Sequence, residues 1–286
     1  MNVGIIGAGR HAGARRRAVE VLPDVTLKGV LHPLPEAATL PAVDPGAAVA
    51  TPYDPLLEKV DAIFVTVPTA EHFRIAEAAT KRGVHVFLEW PPATSVRECQ
   101  AIIGLSEEAG VEVGVSRPLR FHTVFEALPE PWRASLLVLH WEVPDDQDVA
   151  WPRWLADAVD LCCALAQSSS VQRIDAEAVR RGAWPEAVAF GLRFHSGTYA
   201  QISIRRKAGP MVRSLYAAGA GFEVDLDLAE TAGSLGGIDR NGKPSPITAE
   251  TKAFLQAIAG QHPVPVSILD GLHTMRLVER LMEKLR

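Results

Sequence analysis

The first chemistry-bearing residues in the chain are glycines. Gly7-Ala8-Gly9-Arg10-His11-Ala12 follows the apolar run Val3–Ile6 and leads into a helical pattern that begins near His11. Glycine here permits a tight turn and lets the backbone approach a pyrophosphate. The helix start adds unpaired N–H groups and the positive end of its dipole. Ala12 can stand for a third glycine, because that position has only to be small for helix–strand packing. With a strand before it, a helix after it and strand–helix alternation beyond, the motif predicts a dinucleotide site. The second half of that fingerprint departs from the pattern. An acid closing the second strand would bind the adenosine ribose, but Leu31-His32-Pro33-Leu34-Pro35 places His32 there. A histidine can stack or meet a 2′-phosphate and offers no carboxylate, so NAD and NADP are left undistinguished.

Other residues suggest acid–base work. Glu89 comes directly after the apolar strand Val84–Leu88, where a carboxylate needs a partner. Asp157 and Asp160 lie near one face of a helix and can share a site. A carboxylate serves as a base only where its surroundings raise its pKa toward working pH. The plainer reading makes them surface or salt-bridging acids near Arg153. His122 and His140 are further proton-transfer candidates, Arg120 is a candidate cation, and His195 reads as a strand residue. His72 is either a ligand contact or a first-turn helix residue with a local hydrogen bond. The three cysteines, Cys99, Cys162 and Cys163, show neither CxxC nor Cys/His ligand spacing. No disulfide framework or metal site is expected, and a reducing cytoplasm is the simplest setting.

The elements that must position these residues fall into two textures. From Met1 to about His122, short apolar runs alternate with helical patterns: strands at Val3–Ile6, Val25–Leu31, Ala62–Val67, Val84–Leu88 and Val111–Ser116. Between them, Asp54-Pro55 reads as an N-cap followed by proline, Ala70–Arg82 as a helix ending at Gly83, and Ser95-Val96-Arg97-Glu98 as a capping box. Such alternation predicts an α/β fold with a parallel, doubly wound Rossmann sheet over residues 1–120. Residues 121–286 read as an α+β domain. Strands at 136–143, 171–179, 187–195, 198–205, 212–218 and 222–228 form an open, mostly antiparallel sheet, interrupted by a helix at 153–166. Helices at Ala249–Ala259 and Ile268–Leu285 close the chain, and these last helices are candidates to pack on the first domain. Pro-rich 31–45 and 233–246 read as loops.

A net charge of −5 with both signs interspersed excludes the basic stripe of a nucleic-acid binder. Arg15-Arg16-Arg17 reads instead as the solvated face of a helix. No apolar run approaches the roughly 18 residues of a membrane span, so a small-molecule partner is expected, with neither nucleic acid nor membrane.

Two segments narrow the expectation. Val65-Thr66-Val67-Pro68-Thr69-Ala70-Glu71-His72, then Gly83-Val84-His85-Val86-Phe87-Leu88-Glu89-Trp90-Pro91, resemble the core of the Gfo/Idh/MocA (glucose–fructose oxidoreductase / inositol dehydrogenase) family. Its members carry a TP…H turn followed by a segment ending in Glu-Lys-Pro. Arg120-Phe121-His122 and the ending from Thr251 through Leu281 are similar to later parts of the same pattern. The resemblance spans nearly the whole chain, with a shorter second domain. It implies an NAD(P) Rossmann domain and a C-terminal sheet that forms a homo-oligomer. It also implies hydride transfer at a sugar, polyol or related carbon in a cleft between domains. Carried over by position, Gly7, Gly9, Ala12, Thr66, Pro68, His72, Glu89 and Pro91 fall on the cofactor side. Their neighbours Ala8, Arg10, His11, His32, Val67, Thr69 and Trp90 are expected to line the same site.

Two departures touch the chemistry. Trp90 replaces the family lysine, and aligning the family's Asp-x-x-x-His-x-x-Asp helix on Asp160 puts Asp157 at the histidine position and Arg153 at the first Asp. One reading is an oxidoreductase with modified chemistry that uses Asp157, Asp160, Arg120 or His122. The other is a non-catalytic sensor or accessory protein that binds dinucleotide or sugar. A purely structural partner would bind no dinucleotide.

Overall fold

The computed structural model describes residues 1–32, 48–49, 53–128, 133–145, 151–181, 184–228 and 243–286. Both expected sheets are present, and the chain divides into two units. The first unit comprises Met1–Phe121 and Ser234–Leu272; the second comprises His122–Gly233 and His273–Arg286.

In the first unit, β1 (Asn2–Ile6), β2 (Thr26–His32), β3 (Ala48–Val49), β4 (Ala62–Val65), β5 (His85–Leu88) and β6 (Val113–Val115) form one parallel sheet. Its order is β3-β2-β1-β4-β5-β6, so the chain reverses direction across the sheet between β1 and β4. The central strands are buried on both faces, which is why they read as unbroken apolar runs rather than alternating ones. Helices α1 (Arg10–Glu20), α2 (Asp54–Leu57), α3 (His72–Thr80) and α4 (Val96–Ala109) connect them. A fifth helix of this unit, α6 (Pro246–Ile258), comes from far along the chain and packs on α1. Its Phe254 ring stands 5.0 Å from Phe87 and 6.1 Å from Phe64, adding edge-on aromatic contacts to the core. Gly114 on β6 makes room for that cluster, since a Cβ there would come within 2.8 Å of Phe254 and 2.9 Å of Phe87.

Local signals hold with instructive shifts. Ser95 Oγ accepts from the Glu98 N–H, as a capping box requires, but Glu98 reaches back to the N–H and hydroxyl of Thr94 rather than to Ser95. Asp54 is not the N-cap. Tyr53 takes that place, and the Asp54 carboxylate pairs with Arg82 at 2.5 Å instead. The expected helix from Ala70 opens as a 3-10 turn, Thr69–Glu71, before α3 begins at His72. The expected start of α6 moves back to Pro246, where the missing N–H is one that a helix start leaves unpaired anyway, and Ser245 caps it. Most of the two Pro-rich segments, 33–45 and 233–242, lies outside the described residues.

The second unit holds β7 (Ala134–Pro144), β8 (Val171–Arg181), β9 (Trp184–Phe194), β10 (Tyr199–Lys207), β11 (Val212–Gly219) and β12 (Phe222–Asp227). Their order is β12-β11-β7-β10-β9-β8, and only β7 and β10 run parallel. On β7 the buried residues Leu137, Leu139, Trp141 and Val143 alternate with more exposed neighbours, the mark of a sheet covered on one face. Helix α5 (Trp151–Leu165), buried along most of its length, packs on β7 and β10. Helix α7 (Ile268–Lys284) closes the chain.

Candidate dinucleotide and active site

The turn after β1 is built around one backbone conformation. Gly7 has φ +135°, and a Cβ placed there would sit 2.1 Å from Thr66 Oγ1 and 2.9 Å from the Thr66 carbonyl carbon. The Gly7 N–H donates to the Leu31 carbonyl at 2.6 Å, while the Thr66 N–H donates to Ile6 O at 2.8 Å. The ends of β1, β2 and β4 are therefore laced together at the point where strand order reverses, the place where open α/β sheets bind ligands. Gly9 is the N-cap of α1 and offers no side-chain cap, no acid occupies the first turn, and a Cβ on Gly9 would meet nothing within 4 Å. Exposed N–H groups, a positive dipole end and open space fit a pyrophosphate. Arg10 is exposed beside them and His11 half-buried, while Ala8 and Ala12 are buried under the turn.

The β4 turn places Thr66, Pro68 and Thr69 on the accessible side, with Val67 buried. His72 is 1% exposed, and its Nε2 lies 3.0 Å from the Val67 carbonyl, so that nitrogen carries the proton. Burial holds its pKa below the ordinary value, outweighing the Val67 carbonyl and the Glu89 charge. The local-hydrogen-bond reading of His72 thus describes what the ring does: it braces the turn.

Glu89 finds its partner in Arg15. The guanidinium donates from Nε to Glu89 Oε1 at 2.9 Å and from Nη2 to Glu250 Oε2 at 2.6 Å and Ser116 Oγ at 2.7 Å. Nη1 donates to Thr251 Oγ1 at 3.0 Å, and the group lies 4.5 Å over the Phe87 ring. Arg15 is 1% exposed, so the Arg15–Arg17 run is not a solvated face as a whole. Arg16 faces outward in an ion pair with Glu20, whereas Arg15 shares the buried side of α1 with Ala12, Ala18 and Val19. Glu250 also accepts from the backbone N–H of Arg117, whose guanidinium lies 3.4 Å over the Trp90 ring. The Trp90–Pro91 bond is cis. Sequence reasoning missed Arg15, Glu250 and Arg117. The signal was present for the first two, since each falls on the apolar stripe of its helix.

The two carboxylates share one guanidinium unequally. Burial pushes Glu89 up, but Arg15, His11 and Ser116 leave it below its usual value. At Glu250 burial wins over Arg15, Glu89 adds repulsion, and the carboxyl is pushed up to about 6 from 4.5. Folding thus favours the protonated form, so Glu250's contribution is complete below pH 4.5 and declines as pH rises through 6. The loss amounts to about 2 kcal/mol by pH 7.5. Glu89 and His72, with lowered values, act oppositely and lose their contributions as pH falls. Urea unfolding of Glu250→Gln at pH 4.5 and 7.5 isolates the first effect. Relative to the variant, the parent chain loses about 2 kcal/mol between the two pH values; a pH-independent difference would show that Glu250 titrates normally.

The remaining predicted residues sit apart from this network. Arg120 pairs with Asp270 at 3.6 Å, and His32 ends β2. In the second unit His122 is 4% exposed and caps a 3-10 turn, its Nδ1 accepting from the Val124 N–H at 3.2 Å. Asp160 is 2% exposed and accepts from Thr274 Oγ1. Asp157, one turn earlier on α5, keeps 21% of its side chain exposed and pairs with Arg213 at 3.6 Å. His140 is exposed with Ser203 Oγ 2.9 Å away, and His195 falls in a turn after β9. Among the described residues no group of His, Cys, Asp and Glu could hold a metal ion, and no helix is long and apolar enough to cross a membrane.

Known proteins resemble this chain in sequence and in fold. Residues 1–117 match the model of a family described as "Oxidoreductase family, NAD-binding Rossmann fold". A UDP-N-acetylglucosamine 3-dehydrogenase of Acidithiobacillus ferrooxidans is 26% identical over 99% of this chain and 96% of its own length. A solved structure of that relative superposes with a TM-score of 0.82 at 22% identity, covering 100% of this chain and 97% of the other. The scyllo-inositol dehydrogenase of Lactobacillus casei with bound NAD(H) and scyllo-inositol superposes with a TM-score of 0.75 at 14% identity, covering 100% and 96%.

Proposed function

The chain belongs, through its N-terminal NAD-binding Rossmann domain, to the Gfo/Idh/MocA oxidoreductase family, and from that premise we propose that it is a dehydrogenase of a sugar-type secondary hydroxyl. The observation that carries this reading is the Gly7 turn, locked against Thr66 and opening onto the uncapped start of α1. When bound there, NAD or NADP supplies the hydride acceptor or donor. Gly9 and the first N–H groups of α1 hold the pyrophosphate, and Thr66, Pro68 and Thr69 border the nicotinamide half. Asp157 takes the hydroxyl proton, because it alone of the two α5 carboxylates keeps an accessible side chain. Asp160, His122 and Arg120 are engaged by Thr274, Val124 and Asp270 and serve to hold local structure.

UDP-N-acetylglucosamine is the first substrate to try, on the strength of the relative that matches along nearly the whole chain. The experiment is a titration with NADH and NADPH followed by tryptophan fluorescence, then reduced-nicotinamide absorbance with that nucleotide sugar, D-xylose and scyllo-inositol. Saturable binding and turnover of at least one substrate are expected, with Asp157→Asn lowering kcat by about 100-fold or more at unchanged NADH affinity. Absence of binding at millimolar dinucleotide overturns the reading, and full activity in Asp157→Asn removes that residue from it.

The same reading places the protein in the cytoplasm as a homo-oligomer joined through the open face of the second sheet. Its three cysteines are buried free thiols, and Val138, Tyr216 and Val212 lie on the face opposite Leu137 and Leu139. Light scattering of the purified chain reads the assembly state.

A further inference from the structure

The glycine turn is tied to the end of β2, where the Gly7 N–H donates to the Leu31 carbonyl at 2.6 Å. Helix α1 starts at Arg10, directly after that turn, and packs on β1 and β2. Arg10 is exposed, and among the described residues it has no ion pair. No acid occupies the first turn of α1, and neither β1 nor β2 contains one. Glu89, at the end of β5, is already paired with Arg15 at 2.9 Å. His32 closes β2, at the place where a sheet of this order carries the acid that accepts from the adenosine ribose. A carboxylate there selects NAD in two ways. It accepts from the 2′-hydroxyl, and it repels a phosphate on the same carbon. Histidine carries no negative charge, so neither selection operates.

Resting on the dinucleotide reading above, we propose that the adenosine end of the site is built for a 2′-phosphate, with Arg10 as its cation, so that the protein prefers NADPH to NADH. The N–H groups at the start of α1 serve the pyrophosphate, which both dinucleotides carry. What distinguishes the two is one phosphate monoester, with a charge of about −1.5 to −2 at neutral pH. A guanidinium meets such a group with paired, charge-assisted N–H donors. Water and salt screen an exposed arginine, so a preference of about 10- to 100-fold is expected at low ionic strength. Glu36, beyond His32, lies outside the described residues, and an acid acting from there would show as a preference for NADH.

Calorimetric titration of the whole chain with NADPH, NADH, adenosine 2′,5′-bisphosphate and 5′-AMP tests the inference, because each pair differs only in the 2′-phosphate. The parent chain is expected to bind the phosphorylated member of each pair about 10-fold or more tightly, and added salt shrinks the advantage. Arg10→Ala reduces it to about 3-fold or less, Arg10→Lys keeps most of it, and His32→Asp turns the preference toward NADH. Thermal unfolding of Arg10→Ala stays at the parent's value, since Arg10 is exposed. A parent chain that binds NADH as tightly as NADPH, or an undiminished advantage in Arg10→Ala or His32→Asp, overturns the proposal and leaves the dinucleotide reading standing. If neither dinucleotide binds the parent chain, that reading falls and the proposal with it.

Discussion

Arg15→Met lowers the unfolding free energy by about 3–5 kcal/mol. The reason is what remains behind. Glu89 and Glu250 are left with the Ser116 hydroxyl and the Arg117 backbone N–H, and with His11 acting on Glu89, in a site where Arg15 is 1% exposed and Glu250 equally so. Two carboxylates that have lost their shared guanidinium, one of them 1% and the other 15% exposed, repel each other and are poorly solvated. The defect therefore shrinks as pH is lowered toward 5, where a proton replaces the missing charge. Lysine is a poor substitute, because one ammonium cannot reproduce the fork that reaches Glu89, Ser116, Glu250 and Thr251 together. The neighbouring Arg16→Ala provides the contrast. Its pair with Glu20 is 34% and 49% exposed, and a change within about 0.5 kcal/mol is expected. Urea denaturation of the three variants checks the ordering; equal losses for Arg15→Met and Arg16→Ala would refute it.

Gly7→Ala weakens NADH binding by about 30- to 100-fold, equivalent to about 2–3 kcal/mol of strain and displacement at the turn. A φ of +135° is already unfavourable for alanine, and the new methyl carbon would overlap Thr66 Oγ1 at 2.1 Å. Removing that hydroxyl with Thr66→Ala relieves only part of the clash, since the Thr66 backbone lies 2.9–3.0 Å away as well. Gly9→Ala separates fold from function: its Cβ meets nothing within 4 Å, so stability holds while the space for phosphate narrows. Fluorescence titration paired with thermal unfolding distinguishes the two glycines, and unimpaired NADH affinity in Gly7→Ala would remove the turn from the site.

Much of the first unit was legible because its signals are local. Val3–Ile6, Ala62–Val65 and Val84–Leu88 announce buried parallel strands by unbroken apolar character, and the glycine turn supplies the chemistry between them. The second sheet was legible through turn residues and alternation, as on β7. What stayed hidden is pairing over long sequence distances. A basic triplet reads as surface until the helix stripe is drawn, and even then the identity of Arg15's partners depends on α6 returning to α1. Likewise Trp90 reads as a lost lysine, and nothing in its neighbourhood of sequence announces that Arg117 lies face-on against it.

The return of α6 also bears on how this protein is made. Arg15 and Glu250 are separated by 235 residues, so the cation emerges from a ribosome long before half of its counter-charge exists. At roughly 5–20 residues per second, that interval is on the order of 10–50 s. During it the nascent first 120 residues carry an arginine destined for burial and an aromatic face on Phe64 and Phe87 awaiting Phe254. The first unit therefore gains its last contacts only after most of the second has been made. A truncated piece ending near residue 121 lacks Phe254 and Glu250, so the module that carries the glycine turn draws part of its core from the far end of the chain.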